Sequence, residues 1–113
     1  MKIVKSRESI KILWENRETQ TNDLLKIVVD LERQIMAVDA EMHADLEELL
    51  LENGSDQKDL WGANLYPGEN ADNFIEYTSF INIRPADGNR GMEVTDSDIR
   101  KKITDVINKL IQR

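Results

Sequence analysis

Hydrophobic and polar residues recur with two different periods in the N-terminal part of the chain. Residues 2–5 have the composition of a short strand. Ser6 follows as the expected N-cap of a helix in which Ile10, Leu13 and Trp14 show the i, i+3, i+4 spacing of a buried face. The pattern therefore predicts a strand and then an amphipathic helix.

Residues 25–32 and 34–41 predict a β-hairpin that turns near Arg33. The β-branched run that opens this segment favours a strand, and a helix through Leu24–Leu31 stays open as the alternative. In the expected register one face carries Ile27, Val29, Leu31, Met36, Val38 and Ala40. The other face carries Asp30, Glu32, Asp39 and Glu41. We therefore expect a ribbon with an apolar side and an acidic side.

Three further elements follow toward the middle of the chain. Residues 44–53, rich in Leu and Glu, predict a helix that ends at Gly54. Residues 60–66 predict a strand with Trp61, Ala63 and Leu65 on one side. The alternation over 74–84 predicts the clearest strand of the chain, ended by Pro85.

The C-terminal part predicts a helix that begins at Thr95 or Asp96. Its apolar stripe consists of Ile99, Ile103, Val106, Ile107 and Leu110, and its opposite face of Arg100, Lys101, Lys102 and Lys109. The element order is β-α-β-β-α-β-β-α. This order predicts a single compact α+β domain over residues 1–113, with an antiparallel sheet of about four to five strands and helices packed on one face.

Composition narrows the classes of function. The chain has 15 Lys and Arg against 22 Asp and Glu, a net charge of −7, one histidine and no cysteine. Without cysteine, a disulfide scaffold, a thiolate zinc site and a cysteine nucleophile are excluded. A negative charge argues against nucleic acid as a partner. No apolar run approaches the roughly 18 residues of a membrane span, and the N-terminus does not resemble a signal peptide. We therefore expect a cytoplasmic protein that does not bind a membrane and needs no cofactor.

The acidity is concentrated in residues 41–76. This segment has ten acids against Lys58 alone, a balance of −9, whereas residues 1–40 are neutral and residues 77–113 carry +2. An uneven distribution of this kind can steer a cationic partner to one face, although solubility alone also explains it.

His43 is the first candidate for chemistry because it lies among carboxylates. An imidazole with an orienting carboxylate such as Asp45 can exchange protons near neutral pH, so these two residues are weak catalytic candidates. The predicted hairpin also brings Asp30 close to Asp39, and together with His43 they could hold a divalent cation. A structural role for His43 at the start of a helix competes with both ideas.

A second candidate is the stretch around Pro85, which holds Asn82, Arg84, Asn89 and Arg90. Two guanidinium groups and two side-chain amides could clamp a phosphate or carboxylate of an anionic ligand. The competing interpretation is that Arg84 and Arg90 pair within the protein, with Glu76 or with carboxylates of the helices.

Several short motifs show a resemblance to a known family. They are Val28–Glu32, His43–Asp45, Leu50–Ser55, Asp59–Gly62, Leu65–Pro67, Ile81–Pro85 and Gly88–Arg90, and they span about residues 25–111. On these motifs the chain resembles a small prokaryotic protein family catalogued only as a domain of unknown function. The resemblance implies an independent cytoplasmic domain of about this length, and it implies no activity and no catalytic residue.

We expect from these observations a non-enzymatic binding or regulatory module. It would act through the acidic surface or the polar sheet face, where Tyr66 and Phe80 would serve as exposed anchors, and its partner would be another protein or a second copy in a homodimer. The alternative is a small enzyme or anionic-ligand binder that uses His43, Asp45 and the two arginines of the second candidate.

Overall fold

The computed structural model describes all residues from Met1 to Arg113 and contains three α-helices and seven strands. The helices are α1 (Ile10–Glu15), α2 (His43–Glu52) and α3 (Ser97–Leu110). The strands are β1 (Lys2–Val4), β2 (Glu8–Ser9), β3 (Leu25–Asp30), β4 (Ile35–Val38), β5 (Leu60–Leu65), β6 (Ile75–Glu76) and β7 (Ile111–Gln112). Short 3₁₀ turns lie at Gln57–Asp59, Ala71–Asn73, Phe80–Asn82 and Pro85–Asp87.

Five strands form one antiparallel sheet in the order β1-β4-β3-β5-β6. The β3–β4 hairpin has the expected register, with Ile27 opposite Val38 and Val29 opposite Met36. The α+β class and the antiparallel sheet are therefore confirmed, and the helix alternative for residues 24–31 is wrong.

The helices cover both faces of the sheet rather than one. α1 and α3 pack over the face that carries Ile27 and Val29, where they complete the larger hydrophobic core. α2 packs over the opposite face in a smaller core of Val28, Ile35, Ala37, Ala40, Leu46, Leu50 and Leu60. The expected acidic side of the hairpin is therefore wrong, because β3 and β4 lie in the interior of the sheet and are covered from both sides. Of the acids assigned to it, only Asp30 lies within a strand.

The two ends of the chain are joined by a second, two-stranded sheet that the sequence pattern does not show. β2 pairs with β7 in parallel, with Glu8 opposite Ile111. Because Ser9 ends β2, α1 begins later than expected, and Ser9 rather than Ser6 is its N-cap. The Ser9 side chain accepts a hydrogen bond from the Ile12 N–H at 3.4 Å.

The segment predicted as the clearest strand, residues 74–84, is a strand only at Ile75–Glu76. Ser79 then caps a 3₁₀ turn, and Asn82 points inward. The Asn82 side chain accepts from the Gly62 N–H at 2.8 Å and donates to the Gly62 carbonyl at 2.9 Å. A side-chain amide thus takes the place of a neighbouring strand along this part of β5, because buried backbone groups need partners.

The other two helices match their predictions closely. α2 ends in a Schellman motif, in which the N–H of Gly54 donates to the Leu51 carbonyl and that of Ser55 to the Leu50 carbonyl. α3 is capped by Asp96 and buries Ile103, Val106, Ile107 and Leu110 as expected. None of the helices combines the length and the hydrophobicity needed to cross a membrane.

Candidate functional site

A cavity of about 240 Å³ lies at the N-terminal end of α2. Its lining comprises Lys26 of β3, Glu41, Met42, His43 and Ala44 at the start of α2, and Ser79, Phe80 and Ile81 around the 3₁₀ turn. These segments meet because α2 packs beside the turn, which itself lies on β5. We call this space the α2 cavity.

His43 is the oriented polar group of the α2 cavity, with only 8 % of its surface exposed. Its Nε2–H donates to the carbonyl oxygen of Ala63 in β5 at 2.8 Å. Because a carbonyl only accepts, this bond leaves Nδ1 as the acceptor nitrogen of the neutral ring. Burial lowers the pKa of His43, the Ala63 hydrogen bond opposes this shift, and the nearby charge of Lys26 adds to it. The ring is therefore neutral at neutral pH.

Two large apolar side chains of the lining are open to solvent. Phe80 is 76 % exposed and Met42 is 59 % exposed. Phe80 stands outward because Ser79 caps the turn and Asn82 is anchored on β5 on its other side. Met42 occupies the N-cap position of α2 without making a side-chain capping bond. Aromatic and methionine side chains are enriched at protein contact surfaces, so Phe80 and Met42 give the opening of the cavity the chemistry of a contact surface.

The turn that carries Phe80 can approach β5 only because Gly62 has no side chain. A Cβ atom at Gly62 would lie 2.5 Å from the Cβ of Ser79 and 3.2 Å from the Cγ1 of Ile81. Both neighbours line the α2 cavity. The shape of the cavity therefore depends on a glycine in the strand beneath it.

The surface beside the cavity is acidic. We call Glu41, Asp45, Glu47, Glu48 and Glu52 the α2 acidic surface, in which all but the half-buried Glu47 are exposed. The three ion pairs of the structure are Lys2–Glu8, Glu93–Arg100 and Lys101–Asp105. None of them involves an acid of residues 41–76, so the negative field of this segment is not neutralised by direct pairing.

The two predicted catalytic candidates do not interact. His43 bonds to Ala63 and not to Asp45, which is exposed in the first turn of α2. A carboxylate at that position stabilises the N-terminus of the helix through its dipole.

The two asparagines of the predicted anion clamp are buried and bonded within the protein. Asn82 holds the backbone of Gly62, and the Asn89 side chain donates to the Asn82 carbonyl at 2.8 Å. Asn89 also accepts from the backbone N–H of Thr95 at 3.2 Å. Their amides connect the turn to the segment before α3.

The two arginines of the clamp differ in their surroundings. Arg84 lies over the ring of Trp61, 4.2 Å from its centroid, and donates to the carbonyl oxygen of Leu60. Burial lowers the pKa of Arg84. The suggested pairing of Arg84 with Glu76 is wrong, since Glu76 accepts instead from Asn64 and Tyr66. Arg90 is exposed. Arg90 is therefore the only exposed residue of the four, whereas Arg84 is half-buried and its guanidinium donates to backbone carbonyls.

The expectation that the hairpin brings Asp30 close to Asp39 is wrong. Asp30 lies opposite Ile35, whereas the backbone of Asp39 bonds to Lys26, four positions away along β3. His43 lies on Ala63 and joins neither, and no three histidine or acidic side chains come together as metal ligands.

Both aspartates organise backbone instead. One oxygen of Asp30 accepts from two N–H groups of the hairpin turn, at 3.0 and 2.9 Å. Asp39 accepts from the N–H groups of Glu18 and Thr19 at 2.8 and 3.2 Å. Burial acts to raise the pKa of Asp39, and these hydrogen bonds outweigh it, so the pKa is lowered.

Lys26, Met42 and Ser79 belong to the site although no sequence motif indicates them. Only the α2 packing and the 3₁₀ turn bring them to one cavity. Of the two aromatic residues expected to be exposed, Phe80 is, and Tyr66 is half-buried. Burial and a hydrogen bond to Glu76 raise the pKa of Tyr66 to about 12.

Comparison with known proteins yields a family. A family model described as "Protein of unknown function (DUF5674)" matches residues 2–110. No curated protein and no solved structure matches the chain.

Proposed function

This chain belongs to the DUF5674 family of proteins of unknown function, and from its geometry we propose that it is a non-enzymatic binding module. Its partner is a protein that carries a cationic segment with apolar side chains. The contact surface consists of the α2 acidic surface together with Phe80 and Met42.

The observation that carries this proposal is the combination of unpaired acids with exposed apolar anchors. The acids around α2 take part in no ion pair, and Phe80 and Met42 stand open beside them. A single-sign patch steers an oppositely charged partner and speeds its encounter. Desolvated aromatic and methionine side chains then supply the affinity that charge alone does not.

A homodimer through the same surface is disfavoured by charge. A two-fold contact would place the α2 acidic surface of one copy against that of the other. Like charges held together in this way cost free energy. A distinct cationic protein is therefore the better partner for this surface.

The enzymatic alternative draws less support from the contacts. It needs His43, Asp45, Arg84 and Arg90 in one place. The side chains of His43 and Arg84 both donate hydrogen bonds to backbone carbonyls of β5, and Asp45 is exposed on α2. A binding role requires no such convergence.

Site-specific photo-crosslinking tests the proposal. We replace Phe80 with p-benzoylphenylalanine and irradiate the protein in a lysate of its source organism. The matched control carries the same group at Ile12, an exposed apolar residue on α1 with 54 % exposure. We expect a discrete protein adduct at position 80 that is absent at position 12. Adding Glu48→Lys and Glu52→Lys should reduce the adduct several-fold, because these changes reverse two charges of the surface.

Two outcomes would contradict the proposal. The first is the same set of adducts at both positions, which indicates nonspecific contact. The second is an adduct at position 80 whose yield does not respond to the charge reversals or to 0.5 M salt, since screening at that ionic strength weakens exposed charge interactions.

A further inference from the structure

We infer that the α2 cavity receives one medium-sized apolar side chain of the partner, such as Leu, Ile or Met, next to Lys or Arg residues in the partner's sequence. The inference rests on the proposed function and specifies the chemistry of its partner. It assigns the α2 cavity as the position where one partner side chain is recognised.

The size of the cavity favours a single side chain. Its volume is about 240 Å³. This lies below the roughly 300–1,000 Å³ of pockets that bury a drug-sized ligand. It exceeds the roughly 150 Å³ that holds a benzene molecule in an engineered protein cavity. One medium-sized apolar side chain therefore fits, and a larger cofactor does not.

The walls favour an apolar occupant. Met42, Ala44, Phe80 and Ile81 contribute carbon atoms, and large parts of Met42 and Phe80 are exposed to solvent. The neutral ring of His43 is already bonded to Ala63, so an apolar group beside it leaves no charge unpaired. Burial of these exposed carbons is the driving force for occupation.

The surroundings of the cavity select the residues that flank the occupant. Glu41 is part of the lining, and Asp45 and Glu48 are exposed on the adjoining turns of α2. Lys26 is the single cation of the lining. Three acids against one base leave the rim of the cavity negative. Basic residues next to the occupant in the partner's sequence therefore strengthen binding, and acidic residues there weaken it.

The experiment uses two synthetic peptide probes and the full chain. Both probes are nine residues long and rich in Lys, and they differ only in a central Leu or Ala. Titrations followed by ¹H–¹⁵N NMR give both dissociation constants, even in the millimolar range. We expect the Leu probe to bind about tenfold more tightly, from the added apolar area that the cavity buries. The amides of Ala44 and Phe80 should shift most.

A filled cavity provides the decisive variant. Ala44→Leu places a larger side chain in the lining at an exposed helix position that tolerates it. It should abolish the preference for the Leu probe over the Ala probe. Ile83→Ala is the control, because Ile83 is 42 % exposed and is not part of the lining. The control should keep the tenfold preference.

The outcomes separate the two proposals. Equal affinity for both probes, together with weaker binding after Glu48→Lys and Glu52→Lys, overturns the cavity inference and leaves the acidic binding surface standing. A preference for Leu that survives Ala44→Leu also overturns the inference. No binding of either probe overturns both proposals. Shifts at Phe80 that depend on protein concentration without peptide would assign the cavity to a second copy and overturn the inference.

Discussion

Replacing Gly62 by Ala should destabilise the protein although it adds only one methyl group. Gly62 lies in β5 beneath the turn that carries Phe80. The new Cβ would lie 2.5 Å from the Cβ and 2.7 Å from the Oγ of Ser79. These atoms stand close to the backbone, so the turn itself has to move.

The magnitude follows from three contributions. Forced overpacking costs about 1–3 kcal/mol. Displacement of the turn strains the two hydrogen bonds between Asn82 and Gly62, each worth about 1 kcal/mol. Alanine in a strand recovers about 0.5–1 kcal/mol relative to glycine, because the unfolded chain is less flexible. We therefore expect a net loss of about 2–3 kcal/mol in the free energy of unfolding.

Urea denaturation measures this loss as a lower midpoint at an unchanged slope. Gly91→Ala is the matched control, because a Cβ there meets nothing within 4 Å. It should change stability by less than about 0.5 kcal/mol. Adding Ser79→Gly to Gly62→Ala removes the clashing Cβ and Oγ, so the loss in the double variant should be at least about 1 kcal/mol smaller than the sum of the two single losses. A single Gly62→Ala variant within about 0.5 kcal/mol of the natural protein would refute the reasoning.

Three further predictions concern the N-cap of α1, the C-terminal strand and the buried imidazole. Ser9→Ala should lower the free energy of unfolding by about 1 kcal/mol and Ser6→Ala by less than about 0.5 kcal/mol, because only Ser9 caps α1. Urea midpoints of the two variants measure this difference, and equal losses would contradict the assignment of Ser9 as the N-cap. Ile111→Ala should lower the free energy of unfolding by about 2–4 kcal/mol and Gln112→Ala should leave it almost unchanged, since Ile111 is buried and Gln112 is exposed. Thermal and urea unfolding measure both losses, and similar values would contradict the role of β7 in the core. Because the folded pKa of His43 is lowered, the unfolded state binds its proton more tightly, so stability should be full above the unfolded pKa of about 6.5 and fall as the pH drops below it. Urea midpoints between pH 7.5 and 5.5 measure this slope, and an equal slope in His43→Asn would show that other groups cause it.

The candidate site was only partly predictable from the sequence. His43 was identified from its carboxylate neighbours, yet its actual partner is the carbonyl of Ala63, twenty positions away. The sequence pattern indicated Phe80 as an exposed aromatic residue, but it placed Phe80 in a strand, whereas the structure has a 3₁₀ turn there. Lys26 carried no signal, because its place in the lining depends on the packing of α2 over β3.

Periodicity predicted correctly those elements whose buried face is formed by residues close to one another in the sequence. The stripe of α3 and the β3–β4 register follow from side-chain direction alone, because a helix or hairpin brings near neighbours in sequence together. The end of α2 at Gly54 follows from the freedom of glycine at positive φ. These features needed no knowledge of the rest of the fold.

The sequence by itself determined the α+β class, most of the helices and strands, and the acidic middle segment. Only the tertiary structure decided that α2 covers the opposite face of the sheet, that β2 pairs with β7, and that Asn82 replaces a strand beside Gly62. The physical reason is the distance along the chain. Local patterns indicate which side of an element is apolar. The contacts named above instead join residues about 20 to 100 positions apart. Which of these residues pair depends on the backbone groups that are left without partners once the sheet has formed.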